Sequence, residues 1–241
     1  MSDKTSKRAK AKAAPARVAE NKIAAGVEAW AAKDFARALR VFKPLAEAGE
    51  AEAQAWLGAL YANGEGVPVD DRAAFRWYLA SAETGNPLAQ SNVGALLAMG
   101  KGTPRNDEEG ARWLRRAAEA GDVNAQFNYA VLCSKGQGVA ADLKESAVWY
   151  RKAAESGHYP SQSRLGAMYA NGEGVERDRV QAYLWLALAG QHGIGTALNA
   201  LESVIRQMSA EEKAAAARLV DQWRSRTAGR TEPPRLNPLP G

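Results

Sequence analysis

A period of 36 residues runs through this chain, and it limits the fold to a series of similar stacked units. Gln recurs at Gln54, Gln90, Gln126 and Gln162, and Trp recurs at Trp77, Trp113, Trp149 and Trp185. Gly64, Gly66 and Gly85 recur at the same step as far as Gly172, Gly174 and Gly193. A fixed period of this length is typical of supersecondary units that share a continuous core with their neighbours. The sequence therefore predicts a repeat protein, in which recognition surfaces are more expected than active sites.

Each repeat has the pattern of a helix, a turn and a second helix. Residues 51–86 divide at Gly64-Glu65-Gly66 into two amphipathic segments, 51–63 and 70–83, each long enough for about three helical turns. The residues predicted to cap the second helices are Asp70, Asn106, Asp142 and Asp178. Glu109, Glu145 and Gln181 follow three residues later, which predicts a capping box in three of the four copies. The recurring glycines are predicted to supply positive φ at the helix ends.

The two sides of the first helix in each repeat differ in how much they vary. Gln54, Leu57, Gly58 and Tyr61 share one side, which is predicted to pack on the second helix. The opposite side carries Glu52, Ala55, Trp56, Ala59 and Asn63, and its chemistry changes freely in the later copies. We therefore expect one face to be fixed by packing and the other face to be available for partners.

The repeat motif reads A-x-A-Q-x-x-L-G-x-x-Y-x-x-G-x-G-V, followed by D, by A-x-x-W-Y and by A-A-E-x-G. This pattern resembles the Sel-one-like repeat family, a relative of the tetratricopeptide repeat, over residues 51 to 193 without gaps. Ala130 departs from it in place of glycine, and Leu97 and Cys133 depart from it in place of tyrosine. The resemblance implies an all-α fold, a right-handed α-solenoid whose first helices line a concave surface.

The chain is predicted to hold about five repeats and a C-terminal capping helix pair. We divide it into a disordered basic tail (1–17), an atypical first repeat (18–50), four repeats of 36 residues (51–194), capping helices (195–224) and a disordered Pro-rich tail (225–241). Ser209 and Glu212 predict a capping box at the start of the last helix, which should run to about Arg224. A terminal pair with a polar outer side closes the exposed end of a solenoid.

The charge of the chain is uneven. The net charge is +5, but residues 1–17 hold six of the 32 basic residues and only one of the 27 acidic residues, which leaves 26 of each elsewhere. This balance argues against nucleic-acid binding by the repeats themselves. No apolar run is long enough for a membrane span or a secretory signal, so we expect a cytoplasmic protein. The only cysteine, Cys133, cannot form an internal disulfide and is interpreted as a small buried hydrophobe.

The sequence offers no constellation typical of catalysis or of metal binding. The only histidines, His158 and His192, fall at helix ends, and with one cysteine they do not make a zinc set. The Gly-Glu-Gly-Val segments follow a helix rather than a strand, which argues against a phosphate loop. The Trp column is interpreted as core rather than as a stacking platform for bases. We therefore predict no catalytic residue, metal, cofactor or small-molecule substrate.

The leading hypothesis is a monomeric, non-enzymatic scaffold that binds a segment of a partner protein on its concave face. The predicted contact residues are Ser91, Asn92, Asn124, Phe127, Val131, Lys135, Ser163 and Arg164. Phe127 is predicted to be the anchor because an apolar aromatic residue there has no core to fill. One alternative is a hydrolase of cell-wall or β-lactam type, implied by cysteine-rich relatives whose paired cysteines this chain lacks. The other is an adaptor that its basic tail tethers to an anionic membrane or to nucleic acid.

Overall fold

The computed structural model describes residues 22–227, and within this range all regular secondary structure is helical. The described residues divide into two compact units, 22–105 and 106–227. The predicted basic tail (1–17) and all but the first three residues of the predicted Pro-rich tail lie outside the described residues. The first unit holds α1 (22–31), α2 (Phe35–Glu47), α3 (Ala51–Asn63), α4 (Asp71–Glu83) and α5 (Pro87–Met99). The second holds α6 (Asp107–Glu119), α7 (Val123–Lys135), α8 (Leu143–Glu155), α9 (Tyr159–Asn171), α10 (Arg179–Gly190), α11 (Gly195–Arg206) and α12 (Ala210–Thr227).

Within each unit the helices pack in chain order, each against the next, as helix-pair repeats require. In the first unit α3 packs against α2 and α4, and α4 packs against α5. In the second unit the succession continues from α6 through α11, and α12 returns to pack on α10. The predicted all-α repeat fold is thereby confirmed, and the segments predicted at 51–63 and 70–83 match α3 and α4 to within one residue.

The second helices begin at the predicted capping residues. The side chains of Asp70, Asn106, Asp142 and Asp178 accept hydrogen bonds from backbone N–H groups in the first turns of α4, α6, α8 and α10. The reciprocal half of the predicted capping box is wrong at Asp142 and Asp178. Their own N–H groups donate instead to the carbonyls of Cys133 (2.8 Å) and Tyr169 (3.0 Å) in the first helix of the same repeat. The cap therefore also ties the two helices of a repeat together.

The end of the second unit confirms the capping box predicted at Ser209 and Glu212. The N–H of Glu212 donates to Ser209 Oγ at 3.1 Å, and the N–H of Ser209 donates to Glu212 Oε2 at 2.7 Å. The helix that follows, α12, extends past the predicted end at Arg224. It buries Ala216 and Val220 against the cores to which α10 also contributes. The last two helices thus cover the apolar side of α10.

The second glycine of each turn fits against the preceding repeat. Gly138 and Gly174 have φ of 70° and 67°, as expected from the sequence. A Cβ atom at Gly138 would overlap the carbonyl of Asp107, and one at Gly174 would overlap the carbonyl of Leu143. These carbonyls lie at the start of the second helix one repeat earlier. Glycine is therefore required here for close approach between repeats as well as for its backbone conformation.

The Gln column explains how consecutive repeats are joined. Each side chain is buried, and its Nε2 donates to a backbone carbonyl near the end of the second helix in the preceding repeat. The pairs are Gln54 with Ala46 (3.2 Å), Gln90 with Ala82 (3.3 Å), Gln126 with Ala118 (3.3 Å) and Gln162 with Ala154 (3.2 Å). Each of these carbonyls also accepts a hydrogen bond from the N–H of the glycine three residues later, so the amide adds a second hydrogen bond that connects the two repeats.

Only some residues of the Trp column belong to the hydrophobic core. Trp149 and Trp185 are buried, as predicted, whereas Trp77 and Trp113 are half-buried. The column one residue further on is the deeper one, with Tyr78, Leu114, Tyr150 and Leu186 all nearly inaccessible. Cys133 is also fully buried, as predicted, and its burial, followed by the charge of Glu145, raises the pKa of its thiol to about 11. The thiol is therefore neutral at neutral pH.

Candidate functional site

Six of the eight predicted contact residues lie on two first helices of the second unit. Asn124, Phe127, Val131 and Lys135 belong to α7, and Ser163 and Arg164 belong to α9. Lys135 and Arg164 are exposed, and the other four are half-buried. These two helices therefore present an accessible outer face, as the sequence predicted.

The remaining two predicted contact residues are inaccessible. Ser91 and Asn92 on α5 are only 6% and 4% exposed, and the Asn92 amide donates to the carbonyl of Leu88 at 2.9 Å. The expectation that they lie on an open face is wrong. The same face of α3 is also buried, because the ring of Trp56 stacks on Phe42 with centroids 5.3 Å apart. Packing, and not only variability between copies, decides which outer faces are open.

A cavity of about 340 Å³ lies where three first helices and one second helix meet in the second unit. Its lining residues are Phe127 from α7, Pro160, Ser163, Arg164 and Ala167 from α9, Leu186 from α10, and Ile194, Thr196 and Ala200 at the start of α11. We call this cavity the α9 groove. It brings together Phe127, Ser163 and Arg164, whereas the other predicted residues do not line it.

Residues of α11 line the α9 groove but are not among the predicted contact residues. Thr196 stands one period after Pro160, and Ala200 stands one period after Arg164. Continuing the 36-residue step for one more helix would have placed both residues in the variable columns. The sequence predicts one more first helix here, as part of the capping pair, but the predicted contact residues do not extend to it.

Phe127 forms part of the floor of the α9 groove. Its ring lies 5.7 Å from the ring of Tyr150 and 5.0 Å from the ring of His158, centroid to centroid. The expectation that Phe127 has no core to fill is therefore wrong, because it packs on the core that contains Tyr150. It remains half-buried, so one part of the ring packs inward while another lines the groove.

Among the described residues that line the α9 groove, Arg164 is the only charged one. Its guanidinium forms no ion pair with any residue in the range 22–227. Burial raises the pKa of the Tyr150 hydroxyl, and the positive charge of Arg164 offsets part of that rise. In addition, α11 begins at the groove with Ile194 as its N-cap, which offers no side-chain acceptor to the first N–H groups. The groove therefore combines apolar walls with positive potential.

A second cavity of about 670 Å³ in the same unit has a different character. It is lined by two cations, Arg151 and Arg177, and by three carboxylates, Glu155, Glu176 and Asp178. The Arg151 guanidinium lies over the Tyr169 ring and donates to its hydroxyl. Because opposite charges are mixed on this surface, it has no strong preference for a ligand of either sign.

The histidines are placed at helix ends, as predicted. His158 precedes α9, and its Nδ1 is 2.8 Å from the hydroxyl of Ser161, which is fully buried and therefore inaccessible to a substrate. The ring of His192 stacks on that of Tyr159 with centroids 4.8 Å apart. Within residues 22–227 no cluster of three His, Cys, Asp or Glu side chains is arranged to hold a metal ion. In the same range no helix is long and apolar enough to cross a membrane.

Comparison with known proteins agrees with this architecture. The Sel1 repeat family matches residues 51–86, 87–122, 123–158 and 160–194. A protective antigen of uropathogenic Escherichia coli strains, described as displaying an SLR fold, shares 31% sequence identity with a TM-score of 0.73, and the match covers 83% of this chain and 44% of that one. A Sel1 repeat protein from Oxalobacter formigenes shares 28% identity with a TM-score of 0.71, covering 83% of this chain and 82% of that one. No curated protein gives a significant match.

The chain thus spans less than half of the E. coli antigen and most of the O. formigenes protein. Each of the four matched segments contains one helix pair between α3 and α10, to within one residue at its start, and the contacts that recur between repeats are made by the Gln and Gly columns. The chain belongs to the Sel1 repeat family.

Proposed function

We propose that the protein is a non-enzymatic scaffold whose α9 groove binds a segment of a partner protein. The main support for the proposal is the α9 groove, an open cavity among α7, α9, α10 and α11 that is lined by Phe127, Ser163 and Arg164. An aromatic ring and an arginine in one concavity are the residue types that most often anchor protein interfaces. Membership of the Sel1 repeat family, whose proteins commonly serve as interaction scaffolds, supports the same assignment.

The proposal also includes a cytoplasmic, monomeric protein without catalytic activity. Support for a reducing compartment comes from the single cysteine, which is buried with a raised pKa. A binding role is favoured over catalysis because Ser161, the serine of the only close His–Ser contact found among residues 22–227, is buried and inaccessible to a substrate. The hydrolase alternative is not favoured by any arrangement in the described residues, and the tethering alternative depends on residues 1–17.

Selection of peptides on the purified protein tests the proposal. A library of random peptides displayed on phage is selected against the full chain, and the affinity of the enriched peptides is measured by fluorescence anisotropy. We expect the double substitution of Phe127→Ala and Arg164→Ala to weaken binding by about tenfold or more, because it removes both the ring and the charge. Failure to enrich any peptide, or equal affinity in the double variant, would contradict the proposal.

Two further variants separate binding from folding. Thr196→Trp adds bulk at an exposed position on the rim of the groove without removing any packing, so it should block the peptide while the helical content stays unchanged. Arg218→Ala is the matched control, because Arg218 is exposed on α12 and does not line the groove. Its affinity should equal that of the wild type.

A further inference from the structure

We propose that the preferred occupant of the α9 groove is an extended acidic segment of a partner protein, which places a carboxylate against Arg164 and an apolar side chain against Phe127. This inference rests on the proposed function and deepens it by naming the chemistry of the partner. Four features of the described residues lead to it: a cation without an ion pair, the absence of lining acids, the apolar floor and the three first helices that line the groove.

Arg164 presents a positive charge at the groove. The guanidinium is exposed at the groove and has no ion pair within the described part of the chain. A carboxylate can approach it without displacing an existing partner. Arginine presents a planar fork of N–H donors that matches the two oxygens of a carboxylate, so an Asp or Glu side chain is the complementary group on a protein partner.

The described residues that line the α9 groove include no carboxylate, in contrast to the second cavity, which is lined by Glu155, Glu176 and Asp178. Lys135 is exposed on the same helix as Phe127 and also has no ion pair in the range 22–227. The first turn of α11 adds a smaller positive contribution from its N–H groups. These positive groups therefore favour an acidic segment over a basic one.

The floor of the groove is apolar. Phe127, Leu186, Ile194 and Ala200 line the groove together with Ala167, whose small side chain leaves room above α9. The cavity of about 340 Å³ can take one large apolar side chain of the partner. Removing that side chain and the exposed part of the Phe127 ring from water supplies affinity that the ion pair alone would not give, because exposed ion pairs contribute little.

The groove also limits the shape that the occupant can have. The groove is lined by the first helices α7, α9 and α11, and packed helices lie about 8–10 Å apart, so the lining extends over about 20 Å. About six residues of extended chain cover that length. Ser163 contributes a hydroxyl that can bond to the backbone of such a segment. A short extended peptide therefore fits better than a compact ligand.

Three matched peptide libraries test the inference. Each has a fixed central Leu, and the flanking positions are randomised among Asp, Glu, Ser and Gly, among Asn, Gln, Ser and Gly, or among Lys, Arg, Ser and Gly. We expect the wild-type full chain to enrich the acidic library. Replacing the Asp and Glu residues of the best synthetic peptide by Asn and Gln should weaken its binding about fivefold, and raised salt should reduce the difference.

A charge reversal then tests the role of Arg164. Arg164→Glu should weaken the acidic peptide by about tenfold or more and should shift the selection towards the basic library. Arg218→Glu carries the same change of charge on an exposed part of α12 outside the groove, so it should leave both preferences unchanged. Circular dichroism of both variants should show unchanged helical content.

The alternative outcomes are distinct. Enrichment of neutral or basic peptides that Thr196→Trp abolishes would overturn the acidic inference and leave the proposed function standing. No enrichment from any library would overturn both. Binding of an oligouridylate RNA that depends on Arg164, with no binding of acidic peptides, would overturn the inference in favour of a nucleic acid. A dimer in sedimentation that Arg164→Glu dissociates, again without peptide binding, would assign the groove to a second copy of the chain.

Discussion

The outer faces of α3 and α9 carry equivalent positions of the same repeat, yet one face is core and the other is surface. Trp56 and Arg164 are three periods apart in one column. Trp56 is 6% exposed and packs on the aromatic rings of Trp30 and Phe42, whereas Arg164 is exposed beside an open groove. The residues of one variable column therefore do not share a single role, because the exposure of each depends on which side chains of neighbouring helices cover it.

The largest expected effect is that of removing the covered aromatic residue. Trp56→Ala deletes a buried indole and two ring contacts, so it should lower the free energy of unfolding by about 3–5 kcal/mol. A urea titration followed by circular dichroism measures the change. A loss of less than about 1 kcal/mol would mean that the face of α3 is not core, and the comparison would fail.

A glycine substitution tests whether the repeat that contains α9 packs closely on the preceding repeat, although the outer face of α9 is open. Gly174→Ala should cost about 3 kcal/mol, because the added methyl group meets the carbonyl of Leu143 and the residue must keep a φ of 67°. Gly157→Ala is the matched control, since its φ is 88° but nothing lies within 4 Å of an added Cβ, and it should cost about 1 kcal/mol. Equal midpoints in urea for the two variants would contradict the close approach between repeats.

The Gln column should give similar effects in both units. Gln54→Leu and Gln162→Leu each remove a buried amide that donates to a helix-end carbonyl, and the carbonyl keeps its bond from the following glycine N–H, so each should cost about 0.5–1.5 kcal/mol. The two losses should agree to within about 0.5 kcal/mol, the scatter expected for equivalent sites. A clear difference in unfolding free energy would show that the units differ in their inner packing as well as in their outer faces.

The smallest expected effect on stability is that of truncating Arg164, the exposed residue of the pair compared above. Arg164→Ala removes no ion pair within residues 22–227 and truncates an exposed side chain, so its unfolding free energy should stay within about 0.5 kcal/mol of the wild type. The same variant should lose affinity for the acidic peptide in the anisotropy assay. A stability loss as large as that of Trp56→Ala would assign Arg164 to packing rather than to binding.

Much of the fold could be predicted from the sequence because the period repeats the same local rules. The helix bounds, the capping residues at 70, 106, 142 and 178, and the glycines with positive φ all follow from short-range chemistry. The glutamine contacts could not be predicted, although their column was visible, because their acceptors are carbonyls of the preceding repeat. Likewise the donation from Asp142 to Cys133 replaces the expected capping box, and its acceptor lies in another helix.

The candidate site could be predicted only in part for a related reason. Helical spacing assigns residues to a face, and this was enough to select Phe127, Ser163 and Arg164. Spacing does not reveal which faces other helices cover, so Ser91 and Asn92 were assigned to a surface although they are buried. Exposure in a repeat protein depends on the large side chains of adjacent repeats, which a single column does not contain.

Chemical-shift mapping by NMR locates the best peptide from the acidic library on the chain. We expect its titration to shift the backbone amide signals of Ser163, Arg164, Ala167, Thr196 and Ala200, with smaller changes elsewhere in α9 and α11. Shifts concentrated instead at the mixed-charge cavity, around Arg151 and Arg177, would contradict this expectation.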